Sequence, residues 1–385
     1  MEPIARQALA TGGDPGALAR ALADRLAGPD LRIAFVFADH RLDAAPFAEI
    51  QRALAAPVVG CSTVGVLGPG SSSGVSLGPS GGAPSAVALG LYGDWLRVGV
   101  GVASKLSNGA LARSREAVHQ AAAQLGTTVD ALEPGRHVAL SLFDGLGSHA
   151  EAFCIGSAAA APKIRCLGGG ASAELELDDR RSYVWANGVA QLDAGVVIVL
   201  DSDQPFHAVT SSHLVATDQK TVVTAATGRA ISELDGRPAA TRLRQLIAGL
   251  GDELNEAQPT HAFARYIDGV PYVRSLFRIA GERLILASAV EPGHVLRVMR
   301  PGDLVRTTQR DLATAAERVG GTMAAFLAFS CLARHTEAAC RAGERELATT
   351  YAAYPMIGFH TVSEQSGMLL VNHTLTGLAI GALKS

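Results

Sequence analysis

The chain has 385 residues, 48% of them hydrophobic and 18% charged, with a formal net charge of −3. This length and apolar content exceed one ordinary hydrophobic core, suit two domains and exclude a disordered chain. The balanced charge, without a strong Lys/Arg cluster, excludes an electrostatic binder of nucleic acid or anionic membrane.

The N-terminus lacks the basic start and continuous apolar run of a signal peptide, and Gly or charged residues interrupt every long apolar stretch. A cytoplasmic protein without membrane insertion is therefore expected. Cys61, Cys154, Cys166, Cys331 and Cys340 are scattered and never form C-x-x-C. They read as reduced cytosolic thiols, not as a disulfide framework, a zinc knuckle or a covalent haem attachment.

An Ala-rich helix is predicted from Asp14 to Leu26, then a buried strand over Leu31–Ala38 (LRIAFVFA), a helix near Pro46–Leu54 and a strand Pro57–Ser62 ending in small residues. Gly68–Pro84 reads as a mobile loop. Strands Ala86–Leu91 and Leu96–Val102 and a helix near Ala110–Leu125 follow. The pattern then repeats. His137–Phe143 is a strand broken by Asp144-Gly145, Ser148 with Glu151 suggests a capping box, and Lys163–Leu167 is a strand running into Gly168-Gly169-Gly170. Strands Tyr183–Asn187 and Gly195–Leu200 close this half. Asp201–Pro205 is a polar break, read as a hinge between domains 1–203 and 204–385.

Beyond it, His207–Ala216, Thr221–Ala226 and Ile231–Gly236 read as strands, with a helix over Ala239–Ala248 and a meander over Ala262–Ile267, Tyr272–Ile279 and Arg283–Ala287. A helix runs from about Leu304 to Val319, capped by Asp303 and stopped by Gly320-Gly321. The strand–helix–strand unit recurs as Ala324–Ser330, Thr336–Tyr351 and Tyr354–Phe359, and strands Met368–His373 and Leu375–Ile380 end the chain. The expected fold is an internally duplicated α/β (mixed α+β) protein with mixed sheets flanked by helices.

In α/β sheets ligands sit beyond the carboxyl ends of strands. The three units place Asp39, His40, Cys61, Ser62, Asp144, Gly168–Gly170, Cys331, Arg334, His360 and Glu364 there. Cys331 with Arg334 three residues on reads either as a reactive thiol beside a guanidinium or as a buried inert one. Arg334 reads as a clamp for a ligand carboxylate or as a structural partner of Glu364 or Glu337. Neither a phosphate loop nor a nucleophile elbow is present.

Val59-Gly60-Cys61-Ser62-Thr63-Val64-Gly65, Leu142-Phe143-Asp144-Gly145, Gly168-Gly169-Gly170-Ala171 and Tyr183-Val184-Trp185-Ala186-Asn187-Gly188 resemble the blocks of the FIST N domain. Ile231–Pro238 (ISELDGRP), Phe329-Ser330-Cys331-Leu332-Ala333-Arg334, Pro355-Met356-Ile357-Gly358-Phe359 with Glu364, and Asn372-His373-Thr374 resemble those of the FIST C domain. The resemblance runs from about Leu31 to Ala382. The chain departs from the pattern at Ser363, at Leu332-Ala333 and at Val371-Asn372, where the family has Gly, Gly and His-Asn.

The resemblance implies a bacterial intracellular sensory protein for a small ligand, not an enzyme, working with a signalling partner such as a sensor histidine kinase. Some members bind haem and sense nitric oxide. Here that would be haem b, with His360 and His373 as axial candidates. The ligand is expected between the halves, lined by Cys61, Ser62, Asp144 and Gly169 on one side and Cys331, Arg334, Glu364 and Asn372 on the other. A cysteine-dependent enzyme using Cys331 and a ligand-free interaction scaffold are the alternatives.

Overall fold

A computed structural model describes residues 4–69, 82–173, 181–256, 260–267 and 269–382. The middle of the Gly68–Pro84 loop, residues 70–81, lies outside them. The fold is a mixed α/β arrangement in which one unit occurs three times. Each unit runs strand, helix, strand, helix, parallel strand, short excursion, strand.

The first unit is Ala5–Thr11, Pro15–Leu26, Leu31–Asp39, Ala45–Leu54, Val58–Thr63, Val66–Leu67 and Ser85–Tyr92. The second is Leu96–Ser104, Ala110–Gln124, His137–Asp144, Ala150–Ala160, Arg165–Ala171, the hairpin Val184–Ala186/Val189–Gln191, and Ala194–Ser202. The third opens with Phe206–Ser211, resumes at helix Leu304–Arg318, and continues through Met323–Cys331, helices Leu332–Cys340 and Glu344–Ala352, Met356–Thr361, the hairpin Glu364–Ser366/Leu369–Val371, and Leu375–Gly381.

The excursions are exchanged in a ring. Val184–Ala186 of the second unit pairs with Val58–Thr63 of the first. Glu364–Ser366 of the third pairs with Arg165–Ala171 of the second. Val66–Leu67 of the first pairs with Met356–Thr361 of the third.

Strand register repeats too. Gly60, Gly168 and Gly358 stand opposite Val36, Ser141 and Ala328 in the three parallel pairs. A Cβ at these positions would lie 1.7, 2.0 and 1.9 Å from the facing carbonyl oxygens. Only glycine permits that approach.

The central strands of the three units are buried on both faces, which explains uninterrupted apolar runs such as Leu31–Asp39. Phe35 and Phe37 point into a central cluster shared with Leu140, Leu142, Leu327 and Phe329 of the other sheets. Ala34, Val36 and Ala38 alternate outward against helices Pro15–Leu26 and Ala45–Leu54. Phe37 and Phe329 both pack on Phe359, with ring centroids 4.6 and 5.7 Å away. Burying each side chain of this size contributes about 1.5–3 kcal/mol, so the three units are held by one common centre.

Between Phe206–Ser211 and Leu304–Arg318 the third unit carries a barrel. Strands Leu214–Thr227, Val295–Pro301, Ala262–Ile267, Val270–Ala280, Arg283–Leu286 and Ala230–Leu234 follow one another, and Leu214–Thr227 pairs with Ala230–Leu234 to close the circuit. Helix Ala239–Ala248 packs Leu243, Leu246 and Ile247 against Val223, Phe263 and Leu296.

Three expectations change. His207–Ala216 is two strands in different sheets, separated at His213, where the chain leaves the core for the barrel. Thr336–Tyr351 is two helices, broken where Ala342 takes a left-handed φ of 55°. No capping box forms at Ser148: His149 is the N-cap without a side-chain bond, and Glu151 pairs instead with Arg274 of the barrel. At the expected hinge, buried Asp201 lies 2.7 Å from Arg136 Nε and also pairs with Arg97, both of its own unit.

Candidate functional site

Helix Leu332–Cys340 buries Arg334, His335, Glu337 and Ala338. A helix facing a core normally buries an apolar stripe, so three polar groups in that position mark a site. Strand Met323–Cys331 delivers Cys331 as its N-cap. The loop before Leu375–Gly381 delivers Asn372, His373 and Thr374, and the crossing into the barrel delivers His213. All are buried.

Two polar groups of residues meet there. In the first, Glu364 accepts hydrogen bonds from Thr374 Oγ1 (2.6 Å), Thr374 N (3.2 Å) and Thr361 Oγ1. The Cys331 thiol also donates to it. Burial dominates these bonds and pushes the Glu364 carboxyl up to about 7. Asn372 accepts from Ser288 Oγ of the barrel at 2.8 Å and donates to Val362 O at 3.3 Å.

In the second group, Glu337 Oε2 lies 2.8 Å from His213 Nε2 and 2.9 Å from His373 Nε2, while Oε1 accepts from Arg341 at 2.7 Å. Burial alone would raise the Glu337 carboxyl, but the two histidine bonds outweigh it and hold it well below the usual carboxylate range. Burial pushes His213 down to about 4, against the Glu337 bond. His373 takes a left-handed φ of 61° to reach this position, a conformation few non-glycine residues adopt.

Arg334 is fully buried and donates through Nη2 to Thr308 Oγ1 at 2.6 Å. Its Nε and Nη1 have no hydrogen-bond partner among the described residues. Its charge is felt at His213. A guanidinium carries five N–H donors, and an uncompensated buried charge costs several kcal/mol. His360 is likewise buried, its ring 5.2 Å from that of His335. Burial pushes it down to about 3.

These contacts correct two expectations. Arg334 pairs with Thr308, while Glu337 takes Arg341 and the two histidines. The thiol of Cys331 is not lowered by a nearby guanidinium. Burial and the neighbouring Glu364 push it well up, against N–H bonds from His373 and Ala333.

The remaining candidates are tied to local structure. Cys61 is in the central cluster, its thiol pushed up by burial. Ser62 Oγ accepts from Tyr183 N at 2.9 Å. Asp144 Oδ1 holds the turn after its strand through Leu146 N (3.0 Å) and Gly147 N (3.2 Å), and accepts from Ser182 Oγ. Gly169 faces Glu364 in register, and a Cβ there would strike Thr361 Cγ2 at 2.4 Å. His213, Thr308 and Thr361 went unremarked in the sequence, Thr374 appeared only within the Asn372-His373-Thr374 block, and Glu337 figured only as a partner for Arg334.

Three α/β units with exchanged excursions and a barrel inserted in the third define the fold, and the buried polar groups lie where the third unit meets the barrel. The FIST N domain model matches residues 30–237 and the FIST C domain model residues 239–367. The chain belongs to the FIST family, whose domains are associated with small-ligand sensing in signalling. No curated protein matches it in sequence. Among solved structures it is similar to one described as "cyanuic acid hydrolase from A. caulinodans", at 13% identity and a TM-score of 0.33, covering 99% of this chain and 100% of that one. A likeness at that score carries no argument about function. No helix among the described residues is long and apolar enough to cross a membrane.

Proposed function

We propose that this chain is a sensory protein that holds a compact anionic ligand at the seam between the third unit and the barrel. The observation that carries the reading is Arg334: a wholly buried guanidinium whose Nε and Nη1 have no acceptor among the described residues. A carboxylate or small oxyanion supplies the opposite charge and the acceptors that Thr308 alone does not. His213, at the chain's entry to the barrel, feels the same charge. Occupancy there couples the core to the barrel, and a signalling partner reads the result. A sensor histidine kinase is the partner class that the resemblance implies. The cysteines form no disulfide among the described residues and four of them are buried, which favours a reducing compartment such as the cytoplasm.

The reading is of a binder, not a catalyst. Cys331 is buried, and its thiol is pushed up and donated to Glu364, the reverse of nucleophile activation. A haem fits these residues poorly. Both ring nitrogens of His373 face protein groups, Glu337 at 2.9 Å and Ser275 at 3.5 Å. His360 is packed against His335 of helix Leu332–Cys340, where a porphyrin would need the helix's own space.

Thermal unfolding with a panel of small carboxylates and oxyanions tests the proposal. A true ligand at about 100 times its Kd stabilises the fold by about 2.7 kcal/mol, and Arg334→Met abolishes the gain. No stabilisation by any anion, together with no small molecule retained in native mass spectra of protein purified from its own host, overturns it. A Soret band after growth with added haem would overturn the preference against haem.

A further inference from the structure

We propose that His213, Glu337 and His373 form a binding site for one divalent transition-metal ion of the zinc or cobalt class. Two imidazole nitrogens and a carboxylate oxygen converge here, all within 4.8 Å of one another and all buried. Both Nε2 atoms approach the same oxygen, Oε2, at 2.8 and 2.9 Å. Ligands around a tetrahedral ion with bonds of about 2.0–2.2 Å stand slightly further apart, so a small outward movement of each side chain admits the ion.

The surroundings suit that role. Arg341 fixes Glu337 through Oε1 at 2.7 Å and leaves Oε2 facing the histidines. Ser275 of the barrel lies 3.5 Å from His373 Nδ1, on the side of the ring away from the ion, as outer-shell partners of metal-binding histidines do. Three protein ligands leave a fourth position open, the donor pattern of zinc sites that bind an exogenous group.

The three ligands come from separate parts of the chain. His213 lies where the chain enters the barrel, Glu337 on the helix after Met323–Cys331, and His373 before the last strand. Gly302, at the chain's exit from the barrel, bonds His213 O at 3.1 Å. An ion held here ties both crossings of the barrel to the core. The metal site shares the seam with the proposed anion site but does not depend on it.

The full-length protein, stripped with chelator and dialysed, is titrated with Co2+ and followed by calorimetry and visible absorption. One ion per chain is expected, displaced by Zn2+. His213→Asn, Glu337→Gln and His373→Asn should each lose at least the roughly 100-fold reached by outer-shell changes. Cys340→Ser should bind like the wild type, which separates this site from an adventitious surface thiol. Because a ligand variant can fail to fold, X-ray absorption of the loaded wild type is the second measurement. A first shell with two imidazoles and oxygen supports the site. Absence of binding, unchanged affinity in the three variants, or sulfur in the first shell overturns it.

Discussion

The thiol of Cys331 donates a hydrogen bond to Glu364, and the carboxyl it meets is itself pushed up to about 7 by burial. The pair therefore resists charging on both sides. Glu364 gives stability a distinct pH signature. Its ordinary value is 4.5 and its folded value about 7, so the folded state prefers the protonated acid. That contribution is complete below pH 4.5 and is lost as pH rises through 7, a change on the order of 3 kcal/mol. Histidines pushed down by burial, His213 and His360, change in the opposite sense over the acid range. Subtracting Glu364→Gln isolates the carboxyl. Urea unfolding at pH 5 and pH 8 should show the wild type losing ground to the variant at the higher pH. Parallel pH profiles would refute the assignment.

The repeated glycines make a second prediction. Gly358→Ala forces a Cβ to within 1.9 Å of Ala328 O, a main-chain atom that cannot rotate away. A loss of about 3 kcal/mol or more is expected, at the severe end for single substitutions. Gly321→Ala has nothing within 4 Å and meets only its positive φ of 95°. It should cost about 1 kcal/mol. Equal midpoints in urea for the two variants would contradict the register.

Thiol accessibility separates a binder from a cysteine enzyme. Cys340 is the exposed cysteine, and Cys61, Cys154, Cys166 and Cys331 are buried. Native protein at neutral pH should release one equivalent from Ellman's reagent quickly, and all five react in denaturant. Cys340→Ser should remove the fast phase. A fast phase that survives in Cys340→Ser and vanishes in Cys331→Ser would favour the enzyme.

Asp201 tests the junction of the second and third units. Its buried carboxylate holds Arg136 and Arg97. Asp201→Ala should lower the urea midpoint and speed proteolysis near residues 201–205. An unchanged midpoint would show that the two ion pairs contribute nothing to the fold.

Local order was legible wherever one short segment carried its own pattern. Leu31–Asp39 reads as a two-face-buried strand and Ala239–Ala248 as an amphipathic helix because period and length suffice. The exchange of excursions was hidden, because Val66–Leu67 is two residues long and finds its partner near Phe359, far along the chain. Barrel closure through Val223 and Leu234 depends on a bulged pairing that no hydrophobic period encodes. Cys331, Arg334, Glu364 and Asn372 stood out by motif, whereas His213 lies 124 residues from Glu337 and carries no local sign of that contact. The one available signal was Glu337 on the helix face that also bears Arg334 and Ala338.

The ring of exchanged excursions also governs how the chain is made. The sheet begun at Leu96 waits for Glu364 to emerge from the ribosome, and the first sheet waits for Trp185. None of the three units can finish its sheet with its own residues. Synthesis must therefore run almost to its end before the molecule can commit to its native form, and melting should be a single event shared by all three units.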